Sequence, residues 1–381
     1  MHLSSKLPKV GTTIFTIMSA MAAEHGAINL SQGFPDFSCD EKLHGLVSHY
    51  MKTGRNQYAP MAGVIELREA VARLVEDLYG AVYHPEREIT VTSGATEAIF
   101  CAITALIREG DEVIVLEPAY DSYIPAIELC GGTPVCVSLE LPDYSINWDK
   151  VKKLINQRTR AIMLNTPHNP TGTTISREDL EALHRIIDDK DIFVISDEVY
   201  EHILFDGKDH QSISRFPGLV QRSMVISSFG KTLHATGWKV GYCLAPEYLT
   251  REFRKVHQYV TFSTSTPFQL AIADYLNEER ETLAALRSFY QQKRDYFLEL
   301  MADSRFAPWH SSGTYFQLMS YRQISDEPDK DFARRMTIEK GVACIPVSVF
   351  YRFEEDHRVV RFCFAKDDRT LEQAAERLRL V

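Results

Sequence analysis

The strongest constraint on this chain lies between residues 88 and 245, where short apolar runs alternate with amphipathic stretches. The runs occupy 88–92, 112–116, 134–138, 160–165, 192–196, 224–227 and 240–245. Several are nearly continuous in Val, Ile, Leu and Met, the pattern of strands buried on both faces. Between them, 96–107 repeats apolar residues at helical spacing, and Ser176 with Asp179 three residues on resembles a capping box that opens another helix. Strands alternating with helices predict an α/β domain with a mostly parallel sheet. Ligands of such sheets bind outside the carboxyl ends of the strands. Those ends carry Ser93-Gly94, Tyr120, Asn169, Asp197 with Tyr200, and Ser228 with Lys231.

The chain has 381 residues, which predicts two domains. Beyond Pro267 the texture changes to one long helical stretch over 268–301, followed by short strands at 313–316, 341–346 and 359–364 and a last helix from Asp368. We place a smaller α+β domain there. The expected division is an arm with part of the small domain over 1–44, a large domain over 45–275, and the small domain over 276–381. Gly63 precedes a helical pattern over 64–79.

Ala20-Met21-Ala22 mimics a signal-peptidase site, but Thr12, Thr13, Thr16 and Ser19 dilute the apolar region before it. Ile14, Ile17, Met18 and Met21 instead share one helical face, so we read an arm helix. The formal net charge of −10 argues against nucleic-acid binding and against a basic membrane-surface protein. No apolar run is long enough to span a bilayer. Seven scattered cysteines predict buried thiols in the reducing cytoplasm rather than disulfides, and the histidines show no metal-ligand spacing.

The loop from Ser227 to Gly241 is rich in small residues and carries Lys231 and Lys239. A lone loop lysine is usually solvated. Its neighbours at the other strand ends change that reading. A lysine amine holds an aldehyde as a Schiff base. A buried aspartate such as Asp197 keeps a pyridine nitrogen protonated, so the ring accepts electrons, as pyridoxal phosphate does. Asn169 and Tyr200 suit the ring's oxygen, and Tyr120 suits its face. Gly94, Ala95 and Thr96 open a helix whose amides favour a phosphate, to which Ser228 and Lys239 add a hydroxyl and a cation. Each residue alone has an ordinary structural role as a cap, a core aromatic or a turn. Their common place on one sheet edge favours a site.

On Ser-Phe-Gly-Lys231 with Gly237-Trp238-Lys239-Val240-Gly241, Asn169-Pro170-Thr171-Gly172, Asp197-Glu198-Val199-Tyr200 and Arg361-Phe362-Cys363-Phe364, the chain resembles the fold-type I, class I/II aminotransferases. Further stretches, at 30–37, 56–60, 256–262 and 313–316, are most similar to the methionine aminotransferase and kynurenine/glutamine transaminase branch. The resemblance implies an aspartate aminotransferase-like fold, pyridoxal 5'-phosphate as cofactor, and ping-pong transfer between an amino acid and a 2-oxo acid. Lys231 would be the Schiff-base lysine and proton carrier. Arg361 would bind the substrate carboxylate, helped by Asn169 and the Gly33 amide. The wider class usually has arginine where this chain has Lys239, which matches phosphate charge without a bidentate fork. The resemblance also implies a homodimer in which Tyr58 reaches the partner's cofactor phosphate and Phe262 caps the partner's pocket. Phe15, Phe34 and Tyr120 suggest an apolar pocket for methionine, phenylalanine, tyrosine or kynurenine. Cysteine-conjugate β-lyase chemistry is the alternative from the same site. A DNA-binding regulator built on this body is disfavoured by the acidic charge and by the lack of a basic helix-turn-helix segment at either end.

Overall fold

The computed structural model describes residues 4–381. Its centre is a seven-stranded sheet in the order Ile89–Thr92, Gly241–Leu244, Ser223–Ser228, Phe193–Asp197, Thr159–Asn165, Glu112–Glu117, Thr133–Ser138. All neighbours run parallel except Gly241–Leu244, which is antiparallel to both of its partners. The inner strands are buried at almost every position because helices cover both faces, which explains their unbroken apolar sequences. The expected α/β architecture with a mostly parallel sheet is therefore present.

The antiparallel strand matters for the site. Gly241 pairs with both Thr92 and Ser228, so its amino end meets the carboxyl ends of its neighbours. The loop carrying Lys231 and Lys239 thus leaves and re-enters the sheet on the ligand-binding edge. A Cβ on Gly241 would meet the Ser227 carbonyl at 2.6 Å, so only glycine fits this crossing.

Local signals behave as their chemistry predicts. Ser176 and Asp179 form the reciprocal capping box of helix Arg177–Ile187. Helix Ile65–Tyr79 buries Leu67, Val71 and Val75 and stops at Gly80 in the left-handed region, φ 69°.

A four-stranded antiparallel sheet follows, built around Phe316–Ser320 against Val359–Cys363. The arm joins this part of the molecule, because Ile28–Asn29 pairs in parallel with Val342–Ala343 and the Cys363 amide donates to the Leu30 carbonyl at 2.8 Å. That join brings residues 31–33 beside Arg361.

Three expectations are corrected. The stretch over 268–301 is two helices, Thr266–Glu278 and Arg280–Leu300, parted where Glu279 leaves helical geometry (φ −119°, ψ 44°). Lys42 ties down Glu278 and Glu279 at 2.9 and 2.5 Å, a tertiary contact that the continuous charge pattern does not reveal. The segment 313–315 is loop, and the strand begins at Phe316. In arm helix Ile14–Glu24 the buried residues are Met18 and Ala22, whereas Ile17 faces outward. Ile14, Met18 and Met21 of the expected face do pack on the core, joined by Phe15 and Ala22, and the helix lies against Asp329–Glu339.

Candidate active site

A cavity of about 220 Å³ opens at the carboxyl ends of the parallel strands. It collects Gly33, Gly94, Ala95, Thr96, Tyr120 and Asn169 from one set of loops. From the others it collects Asp197, Tyr200, Ser228, Lys231, Lys239 and Arg361, with Phe15 from the arm.

Strand Ser223–Ser228 runs into a single helical turn, Phe229–Thr232, capped by the Ser228 hydroxyl, which accepts from the Gly230 N–H at 3.2 Å. This turn places Lys231 inside the cavity. Its Nζ donates to the Gly33 carbonyl at 3.1 Å and lies 5.7 and 5.5 Å from the ring centres of Tyr200 and Tyr315. Burial lowers the amine to about 8, and the cations of Lys239 and Arg361 act in the same direction. A substantial fraction is then neutral and nucleophilic near pH 8.

Asp197 ends the next strand and is buried. The Tyr123 hydroxyl donates to its Oδ2 at 2.5 Å and the Val199 amide to its Oδ1 at 3.3 Å. Burial raises this carboxyl to about 6, with those two donors and Lys231 opposing the rise. At neutral pH it is a fixed anion. The adjacent strand supplies Asn165, whose Nδ2 donates to the Asp197 carbonyl (2.9 Å) while its Oδ1 accepts from the Asn169 amide (2.8 Å).

Gly94 stands at the amino end of helix Ala95–Leu106, φ 77°. A Cβ there would meet Nζ and Cε of Lys239 at 3.2 Å. Lys239 is itself in the left-handed region, φ 55°, which is uncommon for a non-glycine residue. Helix amides, a hydroxyl and an ammonium thus converge as an anion cradle. Tyr120 lies beside it in the cavity wall with Thr96.

On the opposite side, Arg361 is fully buried. Its Nη1 donates to Asn169 Oδ1 at 2.7 Å and its Nη2 to the Ser31 carbonyl at 3.0 Å, while Nε has no partner. The guanidinium lies 3.8 Å from the Phe316 ring centre and 5.3 Å from that of Phe15. Burial lowers it to about 10, which leaves it cationic at neutral pH.

Two expected residues lie outside this chain's cavity. Tyr58 is 83% exposed and Phe262 46% exposed, and their rings touch at 5.3 Å. Phe34 is also outside, turned toward Lys366, whose ammonium sits 4.8 Å from its ring centre. Phe316 occupies the wall expected for Phe34. At Gly33 the carbonyl meets Lys231, and Arg361 takes the carbonyl of Ser31. Sequence reasoning missed Tyr123, Asn165 and Ser31. Their roles arise from tertiary contacts, although Asn165 stands at a strand end and was open to discovery there.

The group that fits is an anionic aromatic aldehyde. The cradle would take its anion, Lys231 would condense with its aldehyde, and Asp197 would accept from a ring N–H.

The family model described as aminotransferase class I and II matches residues 25–378. A methionine aminotransferase of Escherichia coli (strain K12) is 52% identical over 375 residues, covering 98% of this chain and 97% of that protein. Kynurenine–oxoglutarate transaminase 1 of Homo sapiens is 36% identical, covering 94% and 93%. The solved structure of Escherichia coli YbdL, reported with a methionine aminotransferase function, superimposes with a TM-score of 0.98 at 51% identity over the whole of both chains. With the strand-end lysine, aspartate and buried arginine all in place, the chain belongs to the class I and II aminotransferase family.

Proposed function

We propose that this enzyme transaminates methionine and related large apolar or aromatic amino acids with a 2-oxo acid acceptor, using pyridoxal 5'-phosphate. The observation that carries the reading is the buried Lys231 amine, lowered to about 8, in one cavity with the Asp197 carboxylate and the Arg361 guanidinium. Bound there, the cofactor would supply an aldehyde that condenses with amines and a ring that takes up an electron pair.

The chain's own groups divide the remaining work. Gly94, Ala95, Thr96, Ser228 and Lys239 hold the phosphate. Asp197 accepts the ring N–H, and Tyr123 keeps that carboxylate oriented. Asn169 and Tyr200 flank the ring oxygen, and Tyr120 covers a face. Arg361 takes the substrate α-carboxylate, which fixes the Cα–H bond relative to Lys231. The neutral Lys231 amine would remove that proton as general base and hold it as the ammonium, ready to give it back as general acid.

Phe15, Ile99, Tyr120 and Phe316 give the cavity apolar walls, and Arg361 is its one arginine among the described residues. This supports an apolar side chain over a second carboxylate, as does the 52% identity to a methionine aminotransferase. We further propose a cytoplasmic homodimer, with Tyr58 and Phe262 serving the partner's site, and the domain division at 44/45 and 275/276. No helix among the described residues is long and apolar enough to cross a membrane.

The test is a half-reaction panel. Cofactor-loaded protein is mixed with methionine, phenylalanine, kynurenine or aspartate, and bleaching of the cofactor's visible band is followed. Methionine should act fastest, and Lys231→Ala should abolish turnover. Preference for aspartate would refute the pocket assignment, and turnover by Lys231→Ala would refute the mechanism. Pyruvate and ammonia from a cysteine conjugate, without an acceptor, would favour β-lyase chemistry.

A further inference from the structure

Behind the anion cradle lies a second polar cluster, Glu97, Cys101 and His257, at the first turns of helix Ala95–Leu106. His257 and Cys101 are fully buried. Its hydrogen bonds determine where the protons are. The Met61 carbonyl, 3.1 Å from His257 Nε2, can only accept, so Nε2 carries a hydrogen. Glu97 Oε2 receives the Ser93 N–H at 3.0 Å, and Oε1 receives the Cys101 S–H at 2.9 Å. Both carboxyl oxygens face donors, so the carboxyl is ionised. Burial alone would raise Glu97, but the bonds from His257, Cys101 and Ser93 hold it below its ordinary value. His257 Nδ1 lies 2.8 Å from the same Oε1, so the imidazole bridges Glu97 and the Met61 carbonyl. Phe253 stacks on the imidazole at 6.0 Å and 21°, which fixes its plane.

One ring therefore joins three segments. Glu97 belongs to the helix whose first residues form the cradle. Met61 lies in the loop that carries Tyr58. The carbonyl of His257 itself accepts the Phe262 amide at 3.2 Å, at the end of helix Glu247–Val260. The same three side chains could ligate a metal ion, but the Glu97 oxygens already accept from Ser93 and Cys101 and His257 Nε2 is spent on a carbonyl, so the cluster is matched without one.

We infer that His257, hydrogen-bonded to Glu97 and to the Met61 carbonyl, is a positioning residue that holds the first turn of helix Ala95–Leu106 in the geometry that binds the cofactor's phosphate. The inference rests on the cofactor reading above. It does not involve the reacting atoms, so it predicts a selective effect on phosphate recognition.

The test compares two ligands on apo-protein by equilibrium binding, pyridoxal 5'-phosphate and pyridoxal, which differ by the phosphate alone. His257→Gln should weaken the phosphorylated ligand about tenfold or more and leave pyridoxal within about twofold. Equal losses for both ligands, or no loss, would overturn the inference. Failure of the wild-type protein to bind pyridoxal phosphate at all would instead overturn the cofactor reading. Should His257→Gln not fold, Glu97→Gln is put through the same two-ligand comparison. It should show the same selective loss for the phosphorylated ligand, and equal losses or none would overturn the inference. Stoichiometric zinc retained by the purified protein would also overturn it, because Nδ1 would then bind the metal in place of Glu97.

Discussion

Replacing Arg361 by lysine keeps the charge and removes the fork. In the native chain the guanidinium is wholly buried, with Nη1 on Asn169 and Nη2 on the Ser31 carbonyl. It is flat against Phe316 at 3.8 Å. A lysine ammonium is a point donor on a flexible stem and cannot present two parallel N–H bonds to a carboxylate. Losing one charge-assisted bond costs about 1.5–3 kcal/mol, which is roughly ten- to 150-fold in kcat/KM for an α-amino acid. The loss should appear only for substrates that carry the carboxylate. Stopped-flow half-reactions with methionine and with 3-(methylthio)propylamine, its decarboxylated counterpart, separate the two cases. The variant should lose the full factor on methionine and stay within about threefold on the amine. Equal losses on both compounds would show that Arg361→Lys damages the cavity generally, and the carboxylate role would be refuted.

Three further outcomes follow from individual geometries. Capture of pyridoxal by apo-protein needs the neutral Lys231 amine, so its rate should rise with pH through a midpoint near about 8 and flatten above it; a midpoint near the ordinary lysine value of about 10.4 would contradict the buried amine. Tyr123→Phe removes the 2.5 Å bond to Asp197 and pushes that carboxyl further above about 6. With a bond to a charged group worth about 1.5–3 kcal/mol, kcat at neutral pH should fall about tenfold and the acid limb of the pH profile should move upward, whereas an unmoved limb would show that Tyr123 does not act through Asp197. Gly94→Ala puts a Cβ 3.2 Å from the Lys239 ammonium at a backbone position, φ 77° and ψ 172°, that is essentially open to glycine alone, at about 1–3 kcal/mol of strain. Equilibrium dialysis should show several-fold weaker cofactor binding, and unchanged affinity would argue against the cradle.

Much of this site is legible in the sequence because it is local to strand ends. Lys231, Asp197, Asn169 and Gly94 each follow a recognisable apolar run, and a parallel sheet brings such ends to one edge whatever the details of packing. Arg361 is of another kind. It lies in a different sheet, and only its resemblance to a family motif connects it to the others. Residues whose role depends on a tertiary approach have no local signal. Tyr123 meets Asp197 across 74 positions of sequence, and the Ser31 carbonyl meets Arg361 across 330. The same limit covers the contact of Lys42 with Glu279 at the helix break and the outward turn of Phe34 toward Lys366. Tyr58 and Phe262 are exposed on the single chain, where the sequence reading gives them a partner subunit to meet.

The central claim is that Lys231 forms the covalent link to the cofactor, and one measurement addresses it directly. Protein loaded with pyridoxal phosphate is reduced with borohydride, which makes the link permanent, then digested and mapped by mass spectrometry. The account predicts a single stoichiometric phosphopyridoxyl group on Lys231 and its disappearance in Lys231→Ala. Modification centred on Lys239 or on surface lysines, with Lys231 unmodified, would contradict it.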